Sequence, residues 1–93
     1  MKIVFAPLAA RDLKEAYDFI ARDNPEAADR VLAEISETIG LLASRVVRGR
    51  PVTLRSGERI RTWSHPPYRL YYRIFREVLQ VVRIYHQARK PLE

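Results

Sequence analysis

The chain opens with a short apolar run. Ile3, Val4 and Phe5 follow Lys2, and the mix of β-branched and aromatic residues predicts a strand over Lys2–Phe5. The spacing then changes. Ala9, Leu13, Ala16, Tyr17 and Ile20 recur at steps of three and four, while Arg11, Asp12, Lys14, Glu15 and Asp18 fall off that stripe. This is helical periodicity, and Pro7 suits a first turn, where its missing N–H is not needed. The first helix is expected to run from Pro7 to about Arg22. Asp23-Asn24-Pro25-Glu26 then punctuates the chain. Asn24 is a capping residue, Pro25 fits the first helical position, and Glu26 complements the positive end of the helix dipole. Ala28, Val31, Leu32, Ile35, Ile39 and Leu42 carry the second stripe to about Ser44. So short a join forces an antiparallel helical hairpin with facing apolar stripes. Neither helix would hold in water alone, so a sheet must cover them.

Beyond Ser44 the pattern becomes that of strands. Arg45 to Pro51 reads as a basic connection containing Gly49 and Pro51, and Ser56-Gly57 as a turn. Arg59–Trp63 is strand-like, and His65-Pro66-Pro67 interrupts it. Tyr68–Phe75 alternates clearly, with Tyr68, Leu70, Tyr72 and Ile74 on one face and Arg69, Tyr71, Arg73 and Phe75 on the other. Arg76-Glu77 fits a tight hairpin turn without the usual Gly or Asn. Val78–His86 returns as a Val/Ile-rich strand, and Gln87–Glu93 is a short polar tail. The expectation is one α+β domain over residues 1–93. An N-terminal strand and a two-helix antiparallel hairpin pack on a three- to four-stranded, mainly antiparallel sheet. The sheet face away from the helices would carry alternating arginine and aromatic residues.

Charge sharpens this picture. Residues 1–44 hold five Lys/Arg against eight Asp/Glu, whereas residues 45–93 hold twelve against three. The second half is therefore the electropositive surface, suited to a polyanion or an acidic partner. Fourteen of the seventeen basic residues are arginine, the side chain that grips phosphate and carboxylate bidentately. The lack of cysteine excludes a disulfide framework, a thiolate metal site and a cysteine nucleophile. The apolar stretch Ile3–Ala10 is far too short to span a bilayer. It contains Pro7 and runs into charged residues, so it does not read as a signal peptide. A cytoplasmic location fits these features.

Several motifs in this order resemble the RelE/ParE toxin superfamily over nearly the whole chain. They are Pro7-Leu8-Ala9, Asp23-Asn24-Pro25-Glu26-Ala27-Ala28, Gly49-Arg50-Pro51, Arg59-Ile60-Arg61, Pro67-Tyr68-Arg69-Leu70-Tyr71-Tyr72-Arg73 and Arg83-Ile84-Tyr85-His86-Gln87-Ala88-Arg89. The opening of the second helix looks more like the ParE branch. The resemblance implies the toxin of a type II toxin–antitoxin, plasmid-stabilisation type of system. It implies a cognate ParD-like antitoxin with an acidic C-terminal segment, a toxin–antitoxin hetero-oligomer, and DNA gyrase as the target. The alternative branch consists of RelE-like mRNA endoribonucleases.

The two branches ask different things of the residues. A gyrase poison acts by binding and needs no bond chemistry. Cutting RNA without metal needs an acid, a base and cations around the phosphate. His86 would be the acid or base, Arg61, Arg69 and Arg83 the cations, and Tyr85 a proton donor or stacking surface. RelE-like cutters of one type rely on lysines in the middle strands, and this chain has only Lys2, Lys14 and Lys90. For target or antitoxin binding the candidates are Arg61, Arg69, Tyr71, Arg73 and Arg83. Arg69 and Arg83 are expected on neighbouring strands, where two arginines call for a shared anionic partner. His86 also has a plain reading as a packing residue, and His65 reads as a loop residue. Two histidines without a third ligand make no metal site, and no cofactor is implied.

Overall fold

The computed structural model describes residues 1–93. The elements are β1 (Lys2–Phe5), α1 (Pro7–Ala21), α2 (Pro25–Ala43), β2 (Arg50–Thr53), β3 (Arg59–His65), β4 (Tyr68–Phe75) and β5 (Val78–His86). Both helices begin with proline in the first turn, and the Asn24 side chain accepts from the Ala27 N–H at 3.1 Å. The helical hairpin and the strand from Tyr68 to Phe75 lie where the periodicity puts them.

The strand count differs from expectation. The sheet has five strands in the order β1-β5-β4-β3-β2, with β1 parallel to β5 and the rest antiparallel. The additional strand is β2, which begins in the segment that Gly49 and Pro51 make look like a connection and runs on to Thr53. Pro51 is tolerated there because β2 is an edge strand, where a missing N–H breaks no ladder. β3 is also longer than its apolar pattern. It continues through Ser64 to His65, and the turn to β4 is made by Pro66 and Pro67, joined by a cis peptide bond. At the β4–β5 turn both Arg76 and Glu77 take positive φ (49° and 61°), as a two-residue hairpin requires.

Two apolar layers hold the sheet. On the helical side Ala9, Ile35, Ile39 and Leu42 meet Tyr68, Leu70, Tyr72, Leu79, Val81 and Ile84. On the far side Val52, Ile60 and Tyr71 form a smaller cluster with Leu54, Val82, Tyr85 and Leu92 at its rim. Tyr71 does point away from the helices, yet it is fully buried. The far face is therefore partly a core and not a bare display of arginine and tyrosine.

Candidate functional site

A bulge in β5 shifts its register against β4. Arg83 stands opposite Tyr71 and Val81 opposite Tyr72, so Val82 is an extra residue in the ladder. On the other side of β5, pairing with β1 stops at Phe5–Val81, and the Ala6 N–H bonds Val81 O at 2.9 Å. Beyond that point the β5 edge needs another partner for its N–H groups. Asp12 supplies it. One Asp12 oxygen accepts from the Ile84 N–H at 3.0 Å and from Arg83 Nε at 2.7 Å, and the other accepts from Arg83 Nη2 at 3.0 Å. These hydrogen bonds push the Arg83 pKa above its ordinary value. Arg83 thus staples β5 to α1. It does not face Arg69 across a shared anion, because Asp12 already neutralises it.

The other candidate residues are dispersed in the same way. Arg61 faces the helical side, where its Nη1 donates to Gly49 O at 2.7 Å. The Gly49 N–H in turn donates to the Tyr72 hydroxyl at 2.6 Å. Arg61 also lines a cleft of about 440 Å³ with Arg45, Arg48, Leu42 and Tyr72. Arg73 donates to Glu58 at 2.6 Å and Gln80 at 2.7 Å on the exposed far face. Arg69 and Tyr71 remain together on that face, where the Tyr71 hydroxyl donates to the Glu93 carboxylate at 2.6 Å. Burial, and then the bond to Glu93, push the Tyr71 pKa up to about 12. The same bond, with help from Arg69 and Arg50, holds the Glu93 carboxyl below its ordinary range.

His86 is exposed. Its ring meets Tyr68 edge-on, with centroids 5.4 Å apart, and its Nδ1 accepts from the Ala88 N–H at 3.1 Å. That bond uses the Nδ1 lone pair and leaves the proton on Nε2. Tyr85, next in the chain, faces the opposite layer beneath the guanidinium groups of Arg83 and Arg89, 5.1 and 4.9 Å from its ring centroid. Arg61 and His86 lie two strands apart. Arg61 is level with Tyr72 and Val81, whereas His86 is level with Tyr68 and His65. With strand spacings of about 4.8 Å and a rise of about 3.3 Å per residue, their backbones are roughly 16 Å apart. His65 is not a loop residue. It closes β3 against α2, with Nδ1 3.0 Å from the Thr38 hydroxyl and Nε2 4.0 Å from Glu34.

Sequence reasoning missed Asp12, Glu93 and Arg50. Asp12 carried a weak signal, being three residues after Ala9 and four before Ala16, on the shoulder of the apolar stripe. Arg50 stands in the motif Gly49-Arg50-Pro51, but nothing there pointed to Glu93, since their meeting depends on how the residues after β5 cross the sheet. No cluster of three or more His, Asp or Glu side chains is placed to hold a metal, and no helix is long and apolar enough to cross a membrane.

A helical hairpin on one face of a mixed sheet, with arginine and tyrosine concentrated on the strands, is the architecture of the small toxins of type II toxin–antitoxin systems. Residues 3–91 match the family model described as ParE toxin of type II toxin-antitoxin system, parDE. The chain belongs to the ParE toxin family. It is 35% identical over 78 residues to Y4kP of Sinorhizobium fredii, named as a candidate toxin, covering 84% of this chain and 79% of that protein. Among solved structures it resembles the chromosomal ParDE toxin–antitoxin system from P. aeruginosa, with a TM-score of 0.74 and 25% identity over 92% of this chain and 95% of that one. The YoeB dimer from Staphylococcus aureus shares the fold at a TM-score of 0.58 and 17% identity, again over 92% and 95% of the two chains.

Proposed function

We propose that this ParE-family chain poisons DNA gyrase by binding, and that a cognate antitoxin with an acidic segment neutralises it. The observation that carries the binding reading is the dispersal of the groups RNA cleavage would need. His86 and Tyr85 face opposite layers, Arg83 is neutralised by Asp12, and Arg61 sits on the helical side well away from His86. Acid–base catalysis needs its groups within hydrogen-bond reach of one reacting centre; His86 and Tyr85 share only a pocket of about 70 Å³ with Arg69 and Arg89, and neither Arg61 nor Arg83 lines it. The surplus of arginine in residues 45–93 supports an acidic partner.

The test is a purified gyrase supercoiling and cleavage assay, with an mRNA lane on the same preparation. Accumulated cleaved DNA with intact RNA is the expected result. Cut RNA with normal supercoiling would overturn the proposal in favour of RelE-like cleavage. His86→Ala separates the two again. A nuclease using His86 as acid or base should lose roughly two to four orders of magnitude in rate, whereas a gyrase poison should keep its effect.

A further inference from the structure

The far-side cluster is closed by the segment that follows β5. Leu92 packs at the edge of Val52, Ile60 and Tyr71. Its carbonyl accepts from the Arg55 N–H at 3.0 Å, and the Pro91 carbonyl accepts from the Arg55 guanidinium at 2.6 Å. One residue later the Glu93 carboxylate takes the Tyr71 hydroxyl bond, 3.8 Å from the Arg50 guanidinium and within the field of Arg69. Backbone carbonyls paired to the protein, an apolar side chain in a trough and a carboxylate on a hydroxyl and arginines are the contacts by which domains recognise extended acidic peptides.

We propose that this face is a binding subsite for an extended acidic peptide presenting an apolar residue followed by a carboxylate, and that Leu92 and Glu93 occupy it in cis until such a peptide displaces them. The source is an acidic segment of a partner protein. That assignment of source, though not the subsite itself, rests on reading the chain as an antitoxin-neutralised toxin.

Exposure, tether length and charge set how the occupant is displaced and by what chemistry. The hold is confined to Leu92 and Glu93, because Ala88–Pro91 are exposed and the Arg50 side chain beside Glu93 is 65% exposed. The segment is tied to β5 by only a few residues, which sets its effective concentration on the order of millimolar, the advantage a guest must overcome. A partner peptide displaces it once the guest's concentration over its own Kd exceeds that effective concentration over the Kd of the two-residue cis contact. Charge then favours a more acidic guest: Arg50, Arg55, Arg69 and Arg89 surround this strip, and Glu93 is the one carboxylate bonded within it. A nucleic-acid strand would engage these arginines but leave the Val52–Ile60–Tyr71 trough unfilled.

The test uses the full chain and its L92A/E93A variant, with folding checked by far-UV circular dichroism and Trp63 emission. The probe is a fluorescein-labelled peptide, Asp-Glu-Pro-Leu-Glu-Asp, read by anisotropy. Its control carries Ser-Gln in place of Leu-Glu. The variant should bind the probe about tenfold tighter than the wild type or better, because the cis competitor is gone, and the control should lose most of that binding. Hydrogen exchange gives a second readout: the Arg55 amide should exchange faster in the variant and regain protection when the probe is added. Equal affinity in the two proteins, equal binding of probe and control, or no binding to either up to about a millimolar overturns the proposal. So does a labelled single-stranded oligonucleotide that alone gains from the variant. A chain that leaves gyrase untouched but binds the probe as described refutes the target and keeps the subsite.

Discussion

Replacing Asp12 should destabilise the fold far more than an ordinary helix-surface substitution. In Asp12→Ala the Ile84 N–H loses its acceptor and the Arg83 guanidinium loses a bidentate partner. An orphaned backbone group costs about 1–3 kcal/mol, and breaking a buried ion pair about 3–5 kcal/mol. The Asp12 side chain is 8% exposed and that of Arg83 22%, so water partly rehydrates the arginine. This rehydration brings the cost below the roughly 4–8 kcal/mol sum, to about 3 kcal/mol. That is a large share of the roughly 5–14 kcal/mol expected for a chain of this length. Urea denaturation at neutral pH, followed by the half-buried Trp63 against the main core, measures it. With a slope of about 1.5 kcal/mol/M, the midpoint should fall by about 2 M. Asp12→Asn keeps an acceptor for Ile84 and should cost about half as much. A cycle with Arg83→Met should show coupling of about 2 kcal/mol. An Asp12→Ala midpoint within about 0.3 M of wild type, or additive single effects, would refute the staple.

Three further outcomes follow from the structure. Tyr71 has its folded-state pKa raised from 10.0 to about 12, so its contribution is complete below pH 10 and lost as pH rises toward 12. The wild type should lose up to about 3 kcal/mol over that window that Tyr71→Phe does not lose, and parallel alkaline melts of the two would dismiss the effect. A Cβ at Gly49 would lie 2.6 Å from both Thr62 O and the Tyr72 hydroxyl, so Gly49→Ala should destabilise by about 1–3 kcal/mol in urea. An unchanged midpoint would mean that the α2–β2 connection yields freely. The double change Arg76→Asn and Glu77→Gly suits two positive-φ positions and should raise stability by about 1 kcal/mol, with a lower melting temperature as the contrary result.

Much of this architecture is legible because its signals are local. The stripe from Ala9 to Ile20, the Asn24-Pro25 cap and the alternation from Tyr68 to Phe75 each specify an element through neighbours a few residues away. β2 was not legible: four residues including a proline carry no strand pattern, and only pairing with Arg59–Thr62 makes them one. The faces of β4 were legible but their burial was not. Alternation puts Tyr71 opposite Tyr72, and it does not say that residues near Leu92 will cover the second face. The bulge at Val82 is the same kind of failure. It places Arg83 opposite Tyr71, from where the guanidinium reaches Asp12, seventy-one positions away, and no spacing rule announces this ladder irregularity.

The consequence for function lies in which arginines are available. Twelve basic residues in the second half look like one electropositive surface in sequence, but the fold divides them. Arg83 is neutralised by Asp12, Arg73 by Glu58, and Arg61 braces Gly49. Arg48 and Arg59 are exposed and make no ion pair or side-chain hydrogen bond within the chain. An alanine scan should therefore separate in two. Arg83→Ala and Arg61→Ala should lower the urea midpoint, whereas Arg48→Ala and Arg59→Ala should stay within about 0.5 kcal/mol of wild type. Loss of toxicity in the second pair then reports on a partner, because the fold is intact. In the first pair the same loss reports on folding until stability is matched. If Arg48→Ala or Arg59→Ala unfolds as readily as Arg83→Ala, this division of the arginines is wrong.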